Sequence, residues 1–282
     1  QPQTPLFEID ALSKQVARRL FGTDQLEVDG ELRVLAFGRF VDLPWPLLVG
    51  PRAGAASAPV TVFAPGPRAR AVRALAPAGV SVFVASQFQG ASMQRLDGAR
   101  SEVDVVRSAL PESVVMAADP ASRVALLAGL ARAEDWIHVA AHGTLAPGRI
   151  GGAGIWLDAA DRGGVPEYLS WLDVLDSDVG AEVIVLNACQ LGSDGGGSSG
   201  VIGFSRALIR SGAGHVIAWQ WPVSDTASAM WVGEFYRRRS AGAESLGASL
   251  ARARDVLRNS RHFRHPFYWA GLVHFEALSA GE

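Results

Sequence analysis

Two reactive side chains follow apolar runs that are typical of buried strands. His142 comes directly after residues 136–141, and Cys189, the only cysteine in the chain, follows residues 183–186. Because the carboxyl ends of parallel strands meet at one edge of a sheet, we expect both side chains to project from that edge. A thiolate can attack a carbonyl carbon while an imidazole transfers the proton. The pair is therefore a candidate nucleophilic dyad.

Gly143 bears on the same chemistry because it follows the histidine directly. A backbone N–H with no side chain beside it can point at a developing oxyanion. In the opposite interpretation, Cys189 is a small buried apolar residue and His142 a polar loop residue, which is the commoner situation in an α/β protein. The dyad itself requires neither a metal ion nor an organic cofactor.

Strand-like and helix-like patterns alternate along most of the chain. Runs rich in β-branched or aromatic residues predict strands at 60–64, 80–86, 136–141, 183–186, 215–219 and 272–275. Apolar residues at three- and four-residue spacing predict helices at 9–20, 68–76, 102–110, 121–133, 200–211, 225–239 and 245–258. The alternation predicts a three-layer αβα fold around a mostly parallel sheet with right-handed crossovers.

The N-terminal part of the chain has a different character. Residues 32–49 are apolar but interrupted by Pro44 and Pro46, which predicts a strand pair or an irregular sheet edge. We expect residues 1–55 to form a helix and an edge segment that pack on, or lead into, a domain at 56–282. The first residue is Gln1 rather than methionine, which fits a piece of a longer protein.

Composition excludes several classes of function. The formal net charge is -2, and the basic residues are scattered among acidic ones, so direct binding of nucleic acid is not expected. A single cysteine rules out an internal disulfide and a thiolate metal cluster, which favours the reducing cytoplasm. No apolar run approaches the roughly 18 to 20 residues that span a membrane.

Several motifs occur together in one order. They are residues 96–103 (LDGARSEV), 136–143 (WIHVAAHG), 185–192 (VLNACQLG), 200–214 (GVIGFSRALIRSGAG), 221–225 (WPVSD), 235–238 (FYRR) followed by 241–242 (AG), and 268–270 (YWA). This series resembles the CHAT family, which belongs to the caspase-like clan of cysteine peptidases and is similar to the separases. The resemblance covers roughly residues 43–275.

The resemblance implies a caspase-like fold and a catalytic dyad of His142 and Cys189. In the mechanism that it implies, Cys189 attacks the scissile carbonyl, the N–H groups of Gly143 and Cys189 hold the oxyanion, and His142 protonates the leaving amine. It further implies a regulatory protease of bacterial type whose substrate is a protein or peptide. Family members are commonly attached to helical repeats or sensor domains, so a regulatory partner that gates the activity is expected.

Substrate recognition has two interpretations at Asp225. As part of the motif at 221–225, it resembles the separase-like acid that faces a basic P1 side chain, and the P1 residue would then be Arg or Lys. Alternatively, Ser224 or Asp225 caps the following helix. Trp219 and Trp221 either line a pocket or fill the core. Asn187 departs from some basic-specific relatives, which place an acid two residues before the nucleophile.

Two further patterns have simpler interpretations. His138 and His142 show a zinc-like spacing, but on a strand their side chains would be roughly 13 Å apart, so His138 is expected to be structural. Residues 195–200 match a dinucleotide fingerprint yet begin too late after the strand, and 192–200 is expected to be a mobile loop. A catalytically silent CHAT module with a regulatory or scaffolding role is the main alternative to a peptidase, and nucleotide binding is a distant third.

Overall fold

The computed structural model describes residues 4–50, 57–66, 76–86, 88, 96–132, 136–145, 152–159, 164–188, 199–242 and 244–278. Three sequence predictions lie wholly or mostly outside the described residues. They concern Cys189, the glycine-rich stretch 192–198 and the helix at 68–76. None of the helices among the described residues is both long and apolar enough to cross a lipid bilayer.

The helices follow the apolar spacing of the sequence. In the described part of the chain they are α1 (Leu6–Phe21), α2 (Trp45–Leu48), α3 (Asp97–Ala109), α4 (Arg123–Ala131), α5 (Trp171–Leu175), α6 (Ser199–Arg210), α7 (Asp225–Ala241) and α8 (Leu246–Arg258). Apart from the short α2 and α5, each corresponds to a predicted helix. Serine hydroxyls cap α4, α5, α7 and α8, which satisfies backbone N–H groups that have no partner within the helix.

The strands include four that the sequence did not predict. Those described are β1 (Leu26–Glu27), β2 (Leu32–Val34), β3 (Val49–Gly50), β4 (Val60–Pro65), β5 (Gly79–Val84), β6 (Val114–Ala118), β7 (Trp136–Leu145), β8 (Ala153–Leu157), β9 (Glu167–Ser170), β10 (Val183–Ala188), β11 (His215–Trp219) and β12 (Leu272–Leu278). Of the unpredicted strands, β1 pairs with β3 in a separate two-stranded sheet, and β6, β8 and β9 lie towards the edges of the main sheet.

The main sheet has the order β2-β4-β12-β11-β10-β7-β5-β6, and β8 and β9 extend it from the end of β7. Strands β11, β10, β7, β5 and β6 are mutually parallel, as predicted. The prediction of a mostly parallel sheet is nevertheless wrong, because the sheet is mixed. Strand β12 runs antiparallel to β11, and β4 and β2 follow the direction of β12.

The reversal at β12 has a topological cause. A crossover between parallel strands usually contains one helix, which returns the chain to the opposite edge of the sheet. Between β11 and β12 there are two helices, α7 and α8. The chain therefore enters β12 at the edge where β11 ends, and Leu272 pairs with Trp219. The hairpin-like arrangement of β7, β8 and β9 adds two further antiparallel pairs.

Helices cover both faces of the sheet and confirm the three layers. Apolar residues of α4, α5 and α6 form one buried cluster with one face, and those of α3, α7 and α8 form a second cluster with the other. The segment at 32–49 is irregular: it contains β2, a 3-10 turn at Gly38–Asp42, α2 and β3. Since β2 pairs with β4, this early part of the chain supplies an edge strand of the main sheet.

Candidate active site

His142 lies where β7 changes its pairing partner. Before it, β7 pairs with the parallel strand β10 as far as Ala141, which lies opposite Ala188. From His142 to Leu145, β7 pairs instead with the antiparallel strand β8, and His142 lies opposite Trp156. The strand therefore continues past the histidine, whereas the sequence predicts that it ends before it. Strand β10 therefore holds the backbone before His142, and strand β8 holds it from His142 onwards.

The imidazole of His142 is buried against an aromatic ring. Only 3% of the residue is exposed, and the centroid of its ring is 4.8 Å from that of Phe88. Phe88 has φ +37°, a value that non-glycine residues adopt rarely and at an energetic cost. Such a conformation persists only when the surroundings enforce it.

Asp158 supplies that restraint. Its carboxylate is buried at the end of β8 and accepts the backbone N–H of Ser86 at 3.1 Å and that of Phe88 at 3.2 Å. These bonds to an ionised acceptor are stronger than bonds between neutral groups. Asp158 thus fixes the turn after β5, and this turn holds the Phe88 ring against His142.

A second group of polar side chains is buried beneath the strand ends. The carboxylate of Glu102 on α3 accepts hydrogen bonds from His138 Nε2 at 2.7 Å and from the side-chain amide of Asn187. Ser228 Oγ accepts from the same amide at 2.5 Å and donates to Glu102 at 3.3 Å. The Tyr236 hydroxyl lies 3.2 Å from His138 Nδ1. We call these five residues the buried polar network.

The network joins two strands to two helices. His138 and Asn187 come from β7 and β10, and Glu102 and Tyr236 come from α3 and α7. Burial, and secondarily the charge of Glu102, raises the pKa of Tyr236 well above its ordinary value, so its hydroxyl stays protonated beside His138 Nδ1. His138 Nε2–H then donates to Glu102. As the strand pattern predicts, His138 is a core residue, wholly buried.

The network also decides what Asn187 does. Its amide binds Glu102 and Ser228, and the residue is 5% exposed. Some basic-specific relatives place an acid at this position. In this protein the side chain of residue 187 points into the core. A carboxylate there would stand beside Glu102.

The helix cap at α7 is Ser224 and not Asp225. The Ser224 hydroxyl accepts the N–H of Ala227 at 3.3 Å, and Asp225 is the first residue of the helix, with an exposed side chain. The Asp225 carboxylate lies against Gly98 in the first turn of α3, where a Cβ would overlap with it. It therefore faces the amino-terminal ends of two helices, which favour a negative charge.

The two tryptophans differ in their surroundings. Trp219 is 1% exposed and packs edge-to-face on Trp231, so its side chain belongs to the core and offers no surface to a ligand. Trp221 is half-buried, stacks on Phe267 and donates to the carbonyl of that residue at 2.7 Å. Trp221 is four residues before Asp225, and it is the one of the two tryptophans with appreciable solvent-accessible surface.

The other predicted participants are Gly143 and Cys189. Gly143 lies inside β7, opposite Ile155 of β8, and is buried. Cys189 lies outside the described residues and follows Ala188, the last residue of β10. The role of the Gly143 N–H in an oxyanion hole stays a prediction.

Sequence reasoning missed Glu102, Phe88 and Asp158. Glu102 lies within the motif at 96–103 that resembles the CHAT family, but the motif alone assigns no role to this residue. Phe88 and Asp158 belong to no pattern in the sequence. Their effect depends on a contact between residues 70 positions apart.

Comparisons with known proteins agree with this architecture. The sequence profile of the CHAT domain matches residues 9–277. Human tetratricopeptide repeat protein 28 is 34% identical over 105 residues, which are 37% of this chain, and the match spans 4% of that protein. Its mouse counterpart matches equally over the same length.

Solved structures share the fold. The Arg-specific cysteine proteinase gingipain R aligns with a TM-score of 0.53 and 9% identity, covering 99% of this chain and 69% of that chain. The complex of pro- and mature domains of RgpB from Porphyromonas gingivalis aligns with a TM-score of 0.50 and 8% identity, covering 97% and 69%. The fold is thus that of the caspase-like cysteine peptidases, and the chain belongs to the CHAT domain family.

Proposed function

We propose that this chain is a cysteine endopeptidase in which His142 and Cys189 form the catalytic dyad. The observation that carries the proposal is the pairing of Ala141 with Ala188 on neighbouring parallel strands. Each of these alanines immediately precedes one member of the dyad. Neighbouring strands are about 4.8 Å apart, so the residues that lead directly into His142 and Cys189 lie side by side.

The chemistry is acyl transfer in two stages. The Cys189 thiolate attacks the carbonyl carbon of the scissile peptide, and the N–H groups of Gly143 and Cys189 stabilise the oxyanion. The intermediate collapses, the C–N bond breaks, and the His142 imidazolium gives its proton to the departing amine. A water molecule, deprotonated by His142, then hydrolyses the thioester and regenerates the thiol.

The surroundings of His142 support this role. Proton transfer is efficient only when the ring is held in one orientation over the reacting atoms. The Phe88 ring packs against the imidazole at 4.8 Å, and Asp158 holds Phe88 through its backbone. The buried polar network anchors β7 and β10 below the dyad in the same way.

Asp225 is our candidate for the selection of the P1 residue, and Trp221, four residues earlier in the chain, is the second candidate. The Asp225 carboxylate is exposed and forms no ion pair with the arginines in the described part of the chain. It would favour Arg, and less strongly Lys, through charge-assisted hydrogen bonds. Gingipain R is described as Arg-specific. At 9% identity that protein supports only the fold, so the specificity proposal rests on Asp225.

We further propose that a sensor or partner domain gates the activity. The relative with 34% identity is named for its tetratricopeptide repeats, and the segment that matches this chain is a small part of it. Helical repeats are typical protein-binding modules. A repeat region that recognises a partner could thus transmit binding to a covalently attached peptidase.

The test is incubation with a denatured protein mixture, followed by identification of the new amino termini. The wild-type chain, Cys189→Ala and His142→Ala are compared at equal concentration. We expect termini that appear only with the wild type, and an excess of Arg before the cleaved bonds. A folded wild-type chain that yields no new termini, alone or with its natural flanking domains, would favour the silent regulatory module instead.

A further inference from the structure

A cluster of metal-ligating side chains lies at the opposite end of the sheet from His142. His215 is the first residue of β11 and pairs with Glu276 of β12, and His274 lies two residues earlier on the same face of β12. Val183 and Trp136 continue the row across β10 and β7. His142 is six residues further along β7, about 20 Å away in the strand direction. The cluster is therefore separate from the candidate active site.

The ligating atoms converge on one point. His215 Nδ1 is 3.0 Å from His274 Nε2 and 4.0 Å from the nearer carboxylate oxygen of Glu276. One ligand atom from each of the three residues lies within 4.8 Å of the others. The two histidines are 4% and 2% exposed, and the Glu276 side chain is 21% exposed. An ion could thus enter along the carboxylate.

Hydrogen bonds on the far side of His274 aim its lone pair into the cluster. The Thr61 hydroxyl donates its proton to the carboxylate of Glu31. Thr61 Oγ can then only accept from His274 Nδ1, 3.0 Å away, which places the ring proton on Nδ1. Nε2 is left as an acceptor that points at His215. Metal-binding histidines are commonly fixed in this way by a chain that ends on a carboxylate.

Charges of both signs lie around the cluster. The buried guanidinium of Arg254 donates to the carbonyl of Leu272, two residues before His274. Arg254 opposes a cation, but the Glu276 carboxylate at the cluster and the Glu31 carboxylate beyond Thr61 offset its charge.

We propose that His215 Nδ1, His274 Nε2 and the Glu276 carboxylate bind a zinc ion. Tetrahedral zinc holds nitrogen ligands about 2.0 to 2.1 Å away, so ligand atoms are about 3.3 Å apart. The histidine nitrogens need to separate by only a few tenths of an ångström, and the Glu276 oxygen moves inward by about 0.7 to 1.5 Å. The proton on His215 Nδ1 moves to its other nitrogen or to water. The ion then joins β11 to β12 at the antiparallel junction of the main sheet.

The experiment uses the Cys189→Ala chain without an affinity tag, because the thiol and a histidine tag would both compete for zinc. After dialysis against a chelator, the protein is titrated with zinc chloride by calorimetry and melted with and without the metal. We expect one ion per chain with a Kd in the micromolar range or tighter. At about a hundredfold excess over Kd, Tm should rise by roughly 5 to 10 °C.

Three variants make the result specific. Glu276→Gln keeps the shape of a partly exposed side chain and should weaken zinc binding at least tenfold, and His274→Gln should abolish it. His262→Gln changes an exposed histidine elsewhere and should bind like the parent. Should His274→Gln fail to fold, Glu276→Gln alone decides. Absence of binding, or equal binding by Glu276→Gln and the parent, would show that the cluster is only a hydrogen-bonded histidine pair.

Discussion

Ala141 and Ala188 face each other on β7 and β10, and the residues that follow them in the sequence are His142 and Cys189. Parallel pairing thus brings together two parts of the chain that are 47 positions apart, and it does so at the carboxyl edge, where α/β sheets place their ligands. The chemistry proposed for the dyad depends on this pairing more than on any single side-chain contact.

The first prediction is that Cys189→Ala abolishes cleavage with a change in Tm of at most about 2 °C. The substitution removes the nucleophile and one sulfur atom, and removing a nucleophile costs many orders of magnitude in kcat. Cleavage is measured with the protein mixture described above, and Tm by calorimetry. A large fall in Tm together with the loss of activity would support the interpretation of Cys189 as a buried apolar residue.

The second prediction concerns Asp158. In Asp158→Asn, one oxygen still accepts a backbone N–H, but the new amide donor faces the other N–H donor. The turn around Phe88 should loosen, and stability should fall by about 1–3 kcal/mol. Because His142 loses its fixed orientation, kcat should fall about tenfold to a hundredfold while KM changes little.

A matched control for Asp158 is Asp173→Asn. Asp173 accepts the backbone N–H of Ser170 at 2.8 Å at the start of α5 and pairs with Arg123. Its substitution should cost a similar amount of stability through the lost cap, with kcat unchanged. If Asp158→Asn keeps the full kcat despite a lower Tm, Asp158 is structural only.

The third prediction is that Asn187→Asp destabilises the protein strongly. Two carboxylates would share the buried polar network, since the new one would contact Glu102, and an uncompensated buried charge costs about 3–5 kcal/mol. The pair would keep a proton in the folded state that the unfolded state releases. The penalty should therefore be largest at neutral pH and shrink as the pH falls towards about 4, where the unfolded chain also binds the proton.

The measurement for Asn187→Asp is Tm between pH 5 and 8, compared with Ser228→Ala, which removes a hydrogen bond from the same network without adding charge. The Ser228→Ala difference should not vary with pH. A stable Asn187→Asp chain that cleaves faster after Arg would mean that residue 187 faces the substrate, contrary to its position in the structure.

Much of the fold was predictable because buried strands and amphipathic helices have local patterns. Strand β6 was missed because Val114 and Met116, in an outermost strand, are exposed, so the run shows no buried face. Strands β8 and β9 are short and pair only with each other and with the end of β7. The sequence predicts both helices between β11 and β12, but not that they pack so as to return the chain to the edge where β11 ends.

The site was predictable only in part, for a related reason. His142 and Cys189 are conspicuous because reactive residues follow strands. Glu102 is a charged residue on an amphipathic helix, and local hydropathy predicts that such a residue is solvated. It is buried because His138 and Asn187, 36 and 85 positions away, both donate to it. Such long-range hydrogen bonding is invisible to the periodicity of the sequence.

The fourth prediction concerns Tyr236 and alkaline pH. Its pKa is raised in the folded state by burial and by Glu102, whereas the unfolded residue titrates near 10.0. Above that pH the unfolded chain loses a proton that the folded chain keeps. Stability should thus fall by about 1.4 kcal/mol for each pH unit above 10 from this group alone. Tyr236→Phe should lose this component, and the half-buried Tyr268→Phe should retain it; equal slopes would contradict the assignment.

The last prediction separates recognition from capping at the start of α7. Asp225 is exposed and Ser224 holds the cap. Asp225→Asn should therefore change the free energy of unfolding by no more than about 1 kcal/mol, the usual size of a helix-terminus charge effect. If the carboxylate binds P1, kcat/KM for Arg substrates should fall by a factor of about 10 to 150, which corresponds to a charge-assisted bond of about 1.5–3 kcal/mol. Substrates with an uncharged P1 residue should be unaffected.

Ser224→Ala is the matched control, because it removes the cap next to the same carboxylate. It should cost about 1 kcal/mol of stability and leave the preference for Arg unchanged. The comparison requires matched peptides that differ only in having Arg, Lys or Leu at P1. Should Asp225→Asn retain the Arg preference, the charge at Asp225 serves only the amino-terminal ends of α3 and α7, against which its carboxylate lies. Selection of P1 would then depend on Trp221 and the apolar groups around it.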